Sequence, residues 1–273
     1  MNGPVLEMKQ ASLRLAANTV LDNLSFTITS GEVLGIAGSN GAGKSSLLQL
    51  SCCEHSPSSG RVIFGDEDLA FIAPRKRARR MAVLPQSMNL QFDFTVRQVV
   101  ALGRTPHGDL GGDGEKVIEQ AMDNCQIRAL SHRSYQSLSG GEKQRTQLAR
   151  VLAQLLPNHR QEDLTGQLFI LDEPTSALDV RHQESFLRII KNLRDRGCAV
   201  LLVMHDINLL SRCADKLMLL KSGKILSIGS TKEQLNDASL SELFSFPMKT
   251  MVRDGDVLPF VYPDPAANVF ERT

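Results

Sequence analysis

Charge of one sign is what this sequence has least of: 31 lysines and arginines stand against 30 aspartates and glutamates, a formal net charge of +1 over 273 residues. No global field favours nucleic acid, so none is expected as a partner, and contact with a membrane surface has to be local. Long apolar runs are missing as well. The best core segments, such as Ala199 to Met204, fall far short of the ~20 residues that a bilayer crossing needs, so membrane association is expected only through a partner. The opening stretch, Met1 to Gln10, lacks the charged-then-apolar layout of a secretory leader. The five cysteines (Cys52, Cys53, Cys125, Cys198, Cys213) show no paired metal-ligand spacing and read as reduced, packed thiols of a cytosolic protein. Internal repeats and low-complexity tracts are absent too. The length suits one large domain, or a core carrying an inserted subdomain.

What is present alternates. Apolar patches change places with helix-like stretches along most of the chain, which predicts a mixed α/β architecture. Val5 to Leu15 and Val20 to Ile28 read as strands about the turn Ala16-Ala17-Asn18, and Arg61 to Phe64 as a further short strand. Helices are expected over Thr95 to Gly103, Glu115 to Cys125 and Ser139 to Leu155, with a glycine-rich loop over Thr105 to Gly114. Gln167 to Leu171 reads as a buried strand, Val180 to Arg196 as a helix stopped by Gly197, and Cys198 to Met204 as the next strand. The tail holds short strands, Lys216 to Leu220 and Ile225 to Ile228, about the turn Ser222-Gly223.

Three motifs carry chemistry. The run Gly38-Ser39-Asn40-Gly41-Ala42-Gly43-Lys44-Ser45 follows the apolar segment Val33 to Ala37 and precedes the helix-like Ser46 to Leu50. That strand–loop–helix context makes it a phosphate loop. Its glycines let backbone N–H groups curl around phosphate oxygens, and the helix offers its positive N-terminus. Lys44 can reach the β- and γ-phosphates, and the Ser45 hydroxyl can ligate Mg²⁺. Leu168 to Asp172-Glu173 is an apolar strand tipped by two carboxylates; Asp172 is expected to bind the metal and Glu173 to polarise the attacking water. Leu138-Ser139-Gly140-Gly141-Glu142 is a second glycine-rich helix start, and the same dipole argument makes it an anion site.

With these motifs in place, the sequence resembles the ATP-binding cassette (ABC) ATPases over nearly its whole length. The phosphate loop, the Leu138–Glu142 signature, Asp172-Glu173, Ser176-Ala177-Leu178-Asp179 and His205 stand in the family's order, and Gln86 falls where the family places a metal- and water-sensing glutamine. The resemblance implies a P-loop α/β core with an antiparallel β region over residues 1–86 and 161–273. A helical subdomain carrying the signature would be inserted at 87–160, all within one domain. It further implies a head-to-tail homodimer that sandwiches two ATP molecules with Mg²⁺. Ser139, Gly140 and Gly141 of one copy, with Glu142 beside them, would meet the γ-phosphate held by Lys44 of the other. His205 would bond that phosphate and Asp179 would reach across the seam. Ser46 stands where threonine is more usual and keeps the hydroxyl. The family's adenine-stacking aromatic is missing, Leu15 or Ala16 standing in its place, so only a modest preference for ATP over GTP is expected.

Within the family, Phe92-Asp93-Phe94-Thr95-Val96 and Leu102-Gly103-Arg104-Thr105-Pro106-His107-Gly108 are similar to the iron-siderophore, cobalamin and heme importer group. Tyr135 to Glu142 with Ala149 to Leu155 is most similar to its hemin importers. That likeness implies two permease copies, a periplasmic heme-binding protein reached through them, and a place at the cytoplasmic face of a bacterial inner membrane. Ferric siderophore and cobalamin remain alternative cargoes. A non-transport cassette acting on ribosomes or DNA, or a P-loop switch protein, are the competing classes. The basic run Arg75-Lys76-Arg77 with Arg79-Arg80 reads as a solvated helix face, and His107 as a loop histidine.

Overall fold

The computed structural model describes residues 3–86, 92–157, 163–252, 255 and 257–267. In chain order the first half comprises β1 (Pro4–Leu15), β2 (Asn18–Thr29), β3 (Val33–Ala37), α1 (Lys44–Ser51), β4 (Ser59–Phe64), β5 (Glu67–Asp68), α2 (Pro74–Ala78) and β6 (Met81–Leu84). Three helices follow, α3 (Val96–Ala101), α4 (Asp113–Asn124) and α5 (Gly140–Leu155). The chain returns with β7 (Leu168–Asp172), α6 (Val180–Asp195), β8 (Ala199–Val203), α7 (Ile207–Ser211), β9 (Lys216–Lys221) and β10 (Lys224–Ser230). It closes with α8 (Thr231–Gln234), α9 (Asp237–Phe244), β11 (Met248–Met251) and β12 (Phe260–Pro263).

The central sheet runs β10-β9-β3-β8-β7-β6, parallel throughout except for the β9–β10 hairpin. Its middle strands are short and wholly buried, and apolar but for Asp172 at the tip of β7, because both faces are covered. Alternate residues feed two cores. Leu34, Ile36, Ile170, Leu201 and Val203 face the antiparallel sheet β2-β1-β4-β5 and α1. Val33, Phe169, Leu171, Val200 and Leu202 face the helices. The period-2 pattern of a strand therefore serves both layers at once.

Helices α3, α4 and α5 pack on one another, Val96, Val99, Val117, Ala121, Leu148 and Leu152 being buried between them. Thr95 caps α3 through a reciprocal box with Gln98, so the helix expected over Thr95 to Gly103 starts one residue later, and a 3-10 turn over Leu102–Arg104 takes over its end. The expected subdomain limits, residues 87 and 160–161, lie outside the described residues. Among the described residues no helix is long and apolar enough to cross a membrane.

The basic run is exposed at Arg75, Lys76 and Arg79, as a solvated face requires, and it makes specific contacts as well. Arg75 and Arg79 both donate through Nε to the Pro106 carbonyl, at 3.1 and 3.0 Å, Lys76 pairs with Glu67, and Arg80 lies 4.8 Å over the Phe64 ring. These cations anchor the 105–112 loop and the antiparallel sheet from a face that remains solvated. Cys52, Cys125, Cys198 and Cys213 are buried free thiols, and burial pushes Cys52 and Cys213 up to about 12.

Candidate functional site

Parallel register fixes where the motifs meet. Ile36 pairs with Val203, Val203 with Asp172, and Leu171 with Leu84. The carboxyl ends of β3, β8, β7 and β6 thus lie side by side, the edge where open α/β sheets bind ligands. Each strand then hands over one group: β3 the Gly38–Ser46 loop, β6 Gln86, β7 Asp172 and Glu173, and β8 His205.

The loop is shaped by Gly41 (φ 78°) and Gly43 (φ 100°), left-handed conformations that a side chain would strain. A Cβ on Gly43 would also stand 2.9 Å from Leu21 Cδ2, so the β1–β2 hairpin presses directly on the cradle. Leu15 sits exposed at the end of that hairpin and Ala16 takes a left-handed turn there (φ 54°). No side chain caps the start of α1, which leaves its first turn available to an anion. Lys44 is buried and folds back, its Nζ donating to the carbonyls of Gly38 at 2.8 Å and Ser39 at 3.0 Å. Burial holds its ammonium below the ordinary lysine range, while Glu173 and Asp172 pull the other way.

Asp172 is buried at the tip of β7 beside the Ser45 hydroxyl. Burial raises its carboxyl above the usual range; the Ser45 hydrogen bond opposes that shift and Glu173 reinforces it. Its Oδ1 is buried with no hydrogen-bond partner among the described residues. A carboxylate oxygen without a partner, next to a serine hydroxyl, is the hard-oxygen donor set that suits Mg²⁺, so these residues fit the ion.

Glu173 is the most constrained side chain of the group. Gln86 Nε2 donates to one carboxylate oxygen at 2.7 Å, and His205 Nε2 lies 2.5 Å from the other. Its backbone is left-handed (φ 51°), its N–H bonded to Val203 O at 3.0 Å. Gln144 of α5, which sequence reasoning passed over, donates to the Glu173 carbonyl at 3.1 Å and accepts from Ala177 N–H at 3.0 Å. Its only signal is its place two residues after the signature.

The signature turn is finished differently. Ser139 caps α5, its hydroxyl and backbone N–H both bonded to Glu142 Oε2 at 2.9 and 2.8 Å. Those hydrogen bonds, backbone first, hold the Glu142 carboxyl below its usual range. Gly140 and Gly141 lie against Ala177, where a Cβ on Gly141 would stand 2.9 Å from the Ala177 carbonyl oxygen. Asp179 caps α6, accepting from His182 N at 2.9 Å and pairing with its ring at 2.7 Å, which lowers its carboxyl. The structure therefore gathers Gly38–Ser46, Gln86, Asp172, Glu173 and His205 at one edge. Ser139 and Asp179 are exposed, their polar groups engaged within their own helix caps. His107 binds the Gln154 carbonyl at 2.9 Å, and Arg104, wholly buried, grips Asp109 and the carbonyls of Ala153 and Leu156 at the end of α5.

A phosphate loop, a buried acid tip and a clamped second acid on a parallel sheet define a P-loop nucleoside triphosphatase. The sequence profile described as "ABC transporter" matches residues 21–176. The chain is 42% identical over 240 residues to the hemin import ATP-binding protein HmuV of Pseudomonas entomophila (strain L48), covering 88% of this chain and 92% of that one. It is 40% identical over 261 residues to the HmuV protein of Thermobifida fusca (strain YX), covering 95% and 88%. A metal-chelate type ABC transporter solved in an inward-facing conformation superposes with TM-score 0.77 at 26% identity, covering 96% of this chain and 98% of that chain. This chain belongs to the ABC transporter ATPases, which bind ATP.

Proposed function

We propose that this protein hydrolyses ATP to drive heme across an inner membrane, as the cytoplasmic-face ATPase of an importer. The observation that carries the hydrolytic reading is the Glu173 carboxylate, held between Gln86 and His205 one residue beyond the metal-suited Asp172. Gly38, Ser39, Asn40, Gly41, Ala42, Gly43 and Ser46 surround the phosphates, and Lys44 swings from its carbonyls onto the β- and γ-oxygens. Ser45, Asp172 and Gln86 would hold Mg²⁺, which would supply charge neutralisation to the phosphate oxygens. Glu173 takes the proton of the attacking water, and His205 orients that water and the γ-phosphate.

The dimeric reading rests on the family resemblance of the signature, because Ser139 and Asp179 are satisfied within their own helix caps in the single chain. In a head-to-tail pair, the Ser139 hydroxyl turns from Glu142 to the γ-phosphate across the seam, joined by the N–H groups of Gly140 and Gly141, and Asp179 leaves His182. Core residues 1–86 and 161–273 then stay with the nucleotide, while residues 87–160 carry the signature and meet the permease. Phe92, 71% exposed and edge-on to Phe94, is suited to that docking; Phe94 is itself packed on the core. Two permease copies and a periplasmic heme-binding protein complete the assembly.

The cargo follows from the names of the relatives at about 40% identity. The metal-chelate type neighbour keeps siderophore or cobalamin as the second reading. Reconstitution with the permease in liposomes tests both: ATP-dependent movement of heme, but not of ferric siderophore or cobalamin, is expected. Movement of either of the others in its place overturns the heme assignment.

A further inference from the structure

Glu173 occupies a conformation that its own sequence disfavours. A left-handed φ of 51° is uncommon for a residue with a side chain, and the following Pro174 pushes the residue before it toward extended backbone. Such a geometry persists only where its surroundings over-determine it. Two bonds do so here. The Glu173 N–H reaches Val203 O on the neighbouring strand at 3.0 Å, and its carbonyl accepts from Gln144 Nε2 at 3.1 Å. The first bond belongs to the sheet. The second comes from α5, one turn beyond the signature cap.

Gln144 uses both ends of its amide on one loop. While Nε2 holds the Glu173 carbonyl, Oε1 accepts from the Ala177 N–H at 3.0 Å. The two bonds brace the segment 173–177 at both ends. That segment begins with the carboxylate held between Gln86 and His205, and ends where Gly141 of the same helix packs against the Ala177 carbonyl. Rotating α5 relative to the sheet therefore pulls on the Glu173 peptide through a planar, two-point link.

We propose that Gln144 is a positioning residue for ATP hydrolysis: it fixes the left-handed turn that aims the Glu173 carboxylate, so that the orientation of the signature helix is read within the same chain. This rests on Glu173 being the general base. It adds a route by which a movement of the helical layer switches hydrolysis on or off without altering the phosphate cradle.

The test is Gln144→Ala and Gln144→Glu in the full chain assembled with its permease. The glutamate still accepts from Ala177 N–H but offers no donor to the Glu173 carbonyl. Both variants are expected to lose about 10- to 100-fold in kcat, the scale of a misplaced catalytic group. KM for ATP should change less than about threefold, a split that marks an interaction needed beyond ground-state binding. Melting temperatures should fall by no more than about 4 °C. A kcat within about twofold of the parent in either variant overturns the proposal. So does a loss in which ATP binding and melting temperature collapse together with kcat, since that is a folding role. Glu173→Gln, run alongside, separates the two readings. Near-normal turnover there removes the general base itself, whereas an inactive Glu173→Gln beside a fully active Gln144→Ala removes only the role given to Gln144.

Discussion

Among the glycine-rich turns that open helices, those before α1 and α5 are finished in opposite ways. Among the described residues helix α1 starts at Gly43 with no side-chain cap, beside a buried ammonium leaning on two carbonyls and a carboxylate oxygen with no partner. Helix α5 starts at Ser139 with a complete capping box. The first end is costly without a ligand, because its groups are desolvated before phosphate arrives. The second is at rest alone, because Glu142 supplies the anion that the helix dipole favours. One chain thus holds a site built to be filled and a site that has to be drawn out of its own cap.

The sharpest way to break this contrast is at the open end. Glu173→Gln keeps the shape of the site and removes the base, so turnover in a phosphate-release assay should fall by about 10²- to 10⁴-fold while ATP binding survives. Lys44→Met should weaken ATP binding by about 10- to 100-fold in equilibrium titration, the scale of a hydrogen bond to a charged group. It also removes a charge that burial disfavours, so the nucleotide-free melting temperature should hold or rise. A fall would mean that the carbonyl contacts of Lys44 stabilise the fold, and the open end would then be no more strained than the closed one.

Acid separates the two ends more gently. The folded-state carboxyl of Asp172 is raised, so the folded chain binds its proton more tightly than the unfolded chain does. Its ionisation therefore costs stability as pH climbs from the ordinary carboxylate value through the raised one. Over the same window Mg²⁺-dependent ATP binding should strengthen. Glu142 is lowered, so its stabilising contribution is present above the ordinary glutamate value and is lost only as pH falls through the depressed one. Acidification should thus impair metal-dependent binding before it disturbs the α5 cap, as followed by titration and by melting. The smallest effect belongs to the closed end. Ser139→Ala removes the two hydroxyl bonds of the cap, to and from Glu142, and should cost about 1 kcal/mol, read as a shift of a few degrees in melting temperature, with ATP binding to the isolated chain unchanged.

Much of the architecture was legible because its signals are local. The glycines and Lys44 stand within seven consecutive positions, the two acids end an apolar run, α3 and α5 announce themselves by spacing and caps, and α4 by spacing alone. Other features left no local trace. Strand β6 and the β11–β12 hairpin were not anticipated, four-residue strands being too short to show a period. The cations from Arg75 to Arg79 form the solvated face that their spacing predicts, but nothing local shows that the 105–112 loop, about thirty residues away, rests on two of them. The caps of Ser139 and Asp179 do carry a local signal, a serine three residues before Glu142 and an aspartate just before α6, and in the single chain each residue satisfies its own helix end.

The sequence by itself determined which chemical groups exist and which local frame carries each: a loop that can wrap phosphate, acids at a strand tip, a serine-capped helix. Only the tertiary structure decided that Gln86, Asp172, Glu173 and His205 share one edge with Lys44, and that Gln144 holds the backbone of Glu173. Those meetings depend on strand order and parallel register, which arise from burying both faces of the central sheet, and no short stretch of chain encodes its neighbour across a sheet.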